Sequence, residues 1–259
     1  MSNFIQFNIQ DGVGVIKLNR PDKYNSFVRE MALEMQEKLK QCSEDPSIRA
    51  VYLTGNGKAF CAGQDLAEAI DPEGPELSKI VSEHYNPIIM QIRQLDLPVV
   101  CGVNGVAAGA GANIALACDI TFAVKSASFI QAFSKIGLIP DSGGTFFLPR
   151  IIGFQKAAAL MMLGDKVSAE DAEKMGMIYQ IVPDDSLDSV AFNIAKRLAK
   201  MPTLGLALTK QALNQSMNND LKTQLALEDQ LQSKAGVSYD YNEGVSAFLE
   251  KRKPVFKGE

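Results

Sequence analysis

The chain has no tryptophan and one histidine, His84, and its four cysteines (Cys42, Cys61, Cys101 and Cys118) form no Cys-x-x-Cys pair. A Cys/His metal site is therefore not expected, and reduced thiols in the cytoplasm are. Positive charge is not in excess either: 26 Lys and Arg stand against 30 Asp and Glu, a net charge of −4. This disfavours generic binding to nucleic-acid phosphates, which needs clustered positive charge. The opening MSNFIQFNIQ has neither a basic segment nor a long apolar one, so no secretory signal is expected. The phosphate-binding glycine fingerprints are missing too. Gly109-x-Gly111 has Ile114 where the third glycine belongs, Gly12-x-Gly14 sits in a hairpin, and residues 54–58 lack P-loop spacing. No Gly-x-Ser-x-Gly elbow occurs, and no internal repeat is evident.

What is present is an ordinary globular composition, 46% hydrophobic and 22% charged over 259 residues, enough for one large core with an appendage. The most apolar stretch is 98–119. Its length is that of a membrane span. However, Gly102, Asn104, Gly105, Gly109, Gly111 and Asn113 interrupt it and no Lys/Arg cluster flanks it. It therefore reads as a buried strand, a sharp turn and a helix. Glycine at the turn lets another group approach the backbone, and a helix start leaves N–H groups without partners. That combination suits negative charge developing on an oxygen.

Alternation predicts strands over 4–9 and 13–18 around Asp11-Gly12. Apolar spacing through Phe27, Met31, Met35 and Leu39 predicts a helix from near Ser26 to Pro46. Further strands are expected over 48–54, 120–124 and 177–182. Helices are expected over 76–95, from Ser142-Gly143-Gly144-Thr145 onward, over 153–163, and over 168–175 with Ser168 as N-cap. Residues 71–75 read as a mobile loop. From Ser186 the pattern is helical, punctuated by Pro202 and 218–220. Mixed strands and helices followed by helices alone predict an α/β core with a helical appendage. His84 is expected at the surface or a pocket edge. Cys61 reads as a small buried filler, since no neighbouring His or Lys would make a thiolate. Asp141, ahead of a helix start, reads as an N-cap held ionised.

Three segments, in order, carry a resemblance. They are Phe60-Cys61-Ala62-Gly63-Gln64-Asp65-Leu66, Asn104-Gly105-Val106-Ala107-Ala108-Gly109-Ala110-Gly111, and Gly137-Leu138-Ile139-Pro140-Asp141-Ser142-Gly143-Gly144-Thr145. Together with Leu18-Asn19-Arg20-Pro21 and the tail 248–254, they resemble the enoyl-CoA hydratase/isomerase (crotonase) family over nearly the whole chain. The resemblance implies an α/β fold, a crotonase-like spiral of ββα units over 1–200, with a C-terminal helical region over 201–259 used in trimerisation. Homotrimers or homohexamers follow from it. It implies an acyl-CoA substrate in which coenzyme A is part of the substrate, with no separate cofactor, metal, nucleic acid or membrane. It implies an oxyanion hole made by the backbone N–H groups of Gln64 and Ala110. Ala62, Gly63, Asp65, Leu66 and Gly109 would lie along the substrate, and Phe133, Leu138 and Ile139 would supply apolar walls. Lys23 and Lys253, with Lys251, Arg252 and Lys257, would meet the CoA phosphates. The alternative for the tail is a set of cations closing a helix C-terminus.

The departures from the family pattern concern the reaction. Two glutamates that the family's hydratases use are replaced here by Asn113 and Phe133, neither of which is an acid or base. Asp141 instead resembles the carboxylate of the isomerase branches. The implied activity is an acyl-CoA isomerase with Asp141 as acid and base. It would rearrange a ring epoxide or, alternatively, shift a Δ3 double bond to Δ2 on a linear chain. A hydrolytic dehalogenase would need Asp141 as nucleophile and His84 to activate water. A non-catalytic RNA-binding protein on the same fold is the alternative of another class, opposed by the negative charge.

Overall fold

The computed structural model describes residues 3–259. β1 (Ile5–Gln10) and β2 (Val13–Leu18) pair antiparallel across the turn at Asp11 and Gly12. α1 (Arg29–Glu44) turns Met31, Met35, Leu39 and Cys42 into the core and leads to β3 (Ala50–Gly55), parallel to β2. The helix begins later than Ser26 because Phe27 is used otherwise: it forms a parallel bridge with Gln64.

From β3 the chain repeats one manoeuvre. A buried strand of the first sheet turns into a three-residue strand of a second sheet: β3 into β4 (Ala59–Cys61), β5 (Val99–Val103) into β6 (Val106–Ala108), and β7 (Ile120–Val124) into β8 (Ser128–Ile130). Among the described residues the first sheet runs β1-β2-β3-β5-β7-β10, with β10 at Gln180–Val182. The second runs β4-β6-β8-β9, with β9 at Lys166–Ser168. All neighbours are parallel except β1–β2 and β8–β9. This is a spiral of ββα units. The repeat is absent from the sequence because the units share register and burial, not residues: AVYLTG, VVCGV and ITFAV have no common identity pattern.

The remaining elements pack around this frame. α2 (Leu66–Ala69) follows β4. Residues 71–75 are not an open loop: Asp71 accepts from the N–H of Glu73 with its carboxylate and from that of Gly74 with its carbonyl. The expected helix over 76–95 is α3 (Leu77–Lys79), a π-helical turn (Ile80–Tyr85) and α4 (Asn86–Gln94), end to end. α5 (Ala110–Ala117) follows β6, and α6 (Gly144–Ile152) and α7 (Phe154–Leu163) follow β8. α8 (Ala169–Lys174) is capped by Ser168, whose hydroxyl accepts from Asp171 N–H, as expected. The strand expected over 177–182 shortens to β10, since Met177 N–H closes back onto Ala172 O. α9 (Asn193–Leu198), α10 (Thr203–Ser216), α11 (Leu221–Ala235) and α12 (Tyr239–Leu249) complete the chain, the last two capped by Asp220 and Ser238.

A buried polar knot ties α10 to the core. Lys210 Nζ donates to Ile92 O (2.7 Å) and Leu97 O (3.0 Å) and pairs with Asp119 at 2.8 Å. Arg93 holds the other oxygen of Asp119 at 3.0 Å. No helix among the described residues is long and apolar enough to cross a membrane.

Candidate active site

The parallel pairing of β4, β6 and β8 sends three chain segments out of the second sheet at one edge. Those segments are 62–64, 109–110 and 131–133, so residues far apart in sequence meet there. Two glycines permit the approach. α5 lies directly on β4 because Gly111 has no side chain: a Cβ there would sit 2.7 Å from Cys61 Sγ. Gly63, at φ +89°, passes between the neighbouring loops; a Cβ would lie 3.0 Å from Ala108 O and 3.4 Å from Ala110 N.

Two backbone donors lie on these neighbouring segments, those of Gln64 and Ala110. Ala110 opens α5, so its N–H has no acceptor within the helix. Gln64 is held by Phe27: Phe27 N–H donates to Gly63 O (2.7 Å), and Asp65 N–H donates to Phe27 O (2.8 Å). In a parallel bridge these bonds use the flanking residues, so the N–H of Gln64 itself points away from Phe27. Its side chain is gripped at both ends. Tyr85 Oη donates to Gln64 Oε1 at 3.0 Å, and Gln64 Nε2 donates to Glu68 at 2.8 Å. Glu68 in turn accepts from Arg29 N–H at 2.9 Å. Asp65 caps α2 through Ala67 N–H and pairs with Arg20 at 3.0 Å.

Asp141 comes from the loop between β8 and α6. It is not the N-cap of α6. Ser142 (φ +50°) and Gly143 (φ +73°) both turn left-handed after it, and Gly143 takes the cap position without a side-chain bond. The carboxyl accepts from Ser142 Oγ at 2.8 Å. Burial pushes its pKa above the usual aspartate value, with the Ser142 bond opposing. The backbone carbonyl of Asp141 accepts from Asn113 Nδ2 at 2.8 Å, and Asn113 Oδ1 accepts from Gln131 Nε2 at 2.8 Å. Phe133 is buried with its ring tip beside Gly109.

Other side chains lie apart from this edge or contribute no acid or base to it. Cys61 is buried, and burial pushes its thiol up to about 12, so it is a filler rather than a nucleophile. His84 is buried rather than on the surface. On the π-helical turn Ile80, His84 and Tyr85 all face inward, and His84 Nε2 accepts from Arg29 at 3.2 Å. Burial pushes its imidazole down, helped by Arg29 and opposed by Glu68 and Glu83. Ala62, Leu66, Lys23 and Ile139 are exposed, Ile139 at 81%. Lys253 lies on a tail packed at the Arg49 end of β3, away from β4: Arg49 donates to Phe256 O, and Asp240 accepts from the N–H groups of Lys257 and Gly258. Arg252 is held by Glu243 and Glu250. Among the described residues no group of three or more His, Cys, Asp or Glu could hold a metal ion.

Tyr85 was not singled out in the sequence, although a signal existed. It is the polar-tipped member of the buried stripe Ile80, His84/Tyr85, Ile88, Ile92.

A two-sheet spiral of ββα units followed by C-terminal helices is the crotonase fold class. Residues 8–259 match the enoyl-CoA hydratase/isomerase family model, and the chain belongs to that family of enzymes. It is 50% identical, over the full length of both chains, to the 1,2-epoxyphenylacetyl-CoA isomerase of Escherichia coli K12. It is 32% identical to the 2,3-dehydroadipyl-CoA hydratase of the same organism over 96% of each chain. Among solved structures, an enoyl-CoA hydratase from Bacillus anthracis superposes with a TM-score of 0.92 at 34% identity, over 99% of this chain and 100% of that one.

Proposed function

We propose that the protein is an acyl-CoA isomerase and that its substrate is the ring 1,2-epoxide of phenylacetyl-CoA, rearranged to the oxepin. The observation that carries this reading is one half-buried carboxyl, that of Asp141, with its pKa raised by desolvation. Asp141 stands at the edge with the two N–H groups, while Asn113 and Phe133 offer no second acid or base. The full-length identity to an isomerase of that substrate supports it.

The thioester oxygen accepts from the N–H groups of Gln64 and Ala110. Negative charge that develops there as the α-carbon becomes enolate-like is stabilised, and one such donor contributes on the order of 10²–10³ in rate. In the epoxide reaction the carbon–carbon bond shared by the ring and the epoxide opens, and the oxygen enters a seven-membered ring. No atom is gained or lost, and Asp141 steers the charge. On a linear 3-enoyl-CoA, the same carboxylate removes a proton from one carbon and returns it at the conjugate position, so one base suffices. Burial raises the basicity of Asp141 to suit that task. Ala62, Gly63, Asp65, Leu66 and Gly109 border the thioester, and Phe133 walls the acyl group.

The division into a core over 1–200 and a helical region over 201–259 belongs to the same proposal, with the latter region assembling homotrimers or hexamers. A groove of about 950 Å³ between α10 and α11 and the exposed Val237 and Phe248 support it. Lys23 serves the CoA phosphates of its own site, and the Lys253 tail those of a neighbouring subunit. Four free, buried thiols suit the cytoplasm.

The deciding experiment compares turnover of ring-1,2-epoxyphenylacetyl-CoA and 3-enoyl-CoA by wild type and Asp141→Asn. Preference for the epoxide, lost in the variant with ester binding intact, is the expected result. Preference for the linear ester selects the alternative isomerase, and no turnover of either by wild type removes the isomerase reading.

A further inference from the structure

We propose that Asn113 is a positioning residue: its side-chain amide is a strut that fixes Asp141 against the helix presenting the Ala110 N–H. This rests on the reading of Asp141 as the base.

Asn113 lies one turn into α5, three residues after Ala110. It is fully buried. Its Nδ2 donates to the carbonyl of Asp141 and its Oδ1 accepts from Gln131, both at 2.8 Å. The strut therefore joins the segments that leave β6 and β8 to the loop that carries Asp141. The start of α6 is built against it: a Cβ on Gly144 would lie 2.8 Å from Asn113 Cγ.

The chemistry of the amide is what the position requires. It must donate at one end and accept at the other. A carboxylate at 113 would face the Asp141 carbonyl as acceptor against acceptor. An alkyl group would leave Asp141 O and Gln131 Nε2 without these partners. Gln131 has no slack to absorb that loss, because its Oε1 is already buried without a partner. The Asp141 carbonyl also accepts from Gly144 N–H at 2.8 Å, but that bond only closes the local turn, and the Asn113 bond is the one that ties Asp141 to α5. The Asp141 carboxyl bonds only the adjacent Ser142 in the described network, and the residues before it, Leu138 and Ile139, are exposed. Because the strut and Ala110 share a single helical turn, about 4.5 Å of axial rise, the base and the donor keep a set offset.

The test uses the full-length chain and two near-isosteric variants, Asn113→Leu and Asn113→Asp, with Gln131→Met as a third. Steady-state turnover, its pH profile and thermal unfolding are measured on the ester that wild type prefers. The expected result for Asn113→Leu is a fall in kcat of about 10²-fold, as for an ångström-scale misplacement. KM should stay within a few-fold, at temperatures where the variant is folded. Asn113→Asp should lose kcat similarly and also move the acid limb of the profile to higher pH, because a second negative charge faces Asp141. Gln131→Met should lose less than Asn113→Leu. A folded Asn113→Leu with wild-type kcat overturns the proposal. So does a loss of rate that only tracks the unfolded fraction. An active Asp141→Asn removes the base reading itself; an inactive Asp141→Asn beside a fully active Asn113→Leu removes only the strut.

Discussion

Tyr85 Oη and Gln64 Oε1, 21 residues apart in sequence, meet at 3.0 Å beneath the pair of backbone donors. The phenol is buried, and burial pushes its pKa well above the ordinary value, with the charges of Cys61, Asp141 and Glu68 adding to the effect. It is therefore a fixed neutral donor. Tyr85→Phe keeps the ring and removes the bond, leaving the Gln64 side-chain oxygen without its partner and only its amide nitrogen tied, to Glu68. The expected stability loss is about 1 kcal/mol, read from denaturant unfolding. Turnover should fall about tenfold as the Gln64 N–H loosens; unchanged turnover would detach this bond from the site.

The carboxyl of Asp141 gives a pH prediction with a definite sign. Its folded pKa lies above the aspartate value of the unfolded chain. The native state then binds the proton more tightly, so its stability contribution is full below the unfolded value and lost as pH rises through the folded one. Asp141→Asn should raise the unfolding midpoint at neutral pH, with the gain vanishing in acid. Wild-type turnover should fall as pH drops through the same raised value, since the base must be ionised.

Gly63 separates the loops that carry the two donors. Gly63→Ala would force a side chain into φ +89°, 3.0 Å from Ala108 O. A backbone penalty of about 1–3 kcal/mol is expected, with loss of turnover exceeding that of an alanine at exposed Ile70. Comparison of unfolding midpoints and turnover for the two variants checks this.

The cysteines should be silent. Burial pushes Cys42 and Cys61 up to about 12, so the thiolate fraction at pH 8 is on the order of 10⁻⁴. Iodoacetamide should leave the native enzyme unmodified by mass spectrometry, and Cys61→Ala should keep its turnover. Rapid labelling of Cys61 with loss of activity would return it to the chemistry.

Local chemistry was legible in the sequence wherever it acts within a few residues. Ser168 caps α8, and the glycines of 102–111 mark a strand-to-helix turn, because both features depend on neighbours along the chain. The motif segments also bring Gln64 and Ala110 into view. What was not legible depends on pairing between distant strands. Phe27 carried a helical spacing yet is captured by Gln64, and Asn113 looked like a missing acid yet holds Asp141 in place. For Asp141 the residues alone suggest a cap, because Asp before Ser-Gly-Gly has that composition, while the motif resemblance points to an acid and base. Two left-handed residues that no spacing rule reveals carry the chain past it first.

The π-helical turn at Ile80–Tyr85 sets the rotational phase of that helical run. Such a turn is an α-helix with one residue added, and each residue is worth about 100° of rotation. Before it, all three residues of α3 are exposed and Ile80, at the start of the turn, is buried; after it, α4 keeps Ile88, Ile89 and Ile92 on the core. Removing one residue from the turn would restore regular winding but would put the two halves out of phase. Ile80 and Tyr85 could then not both face the core, so the extra residue keeps Ile80, the phenol and the isoleucine face in register.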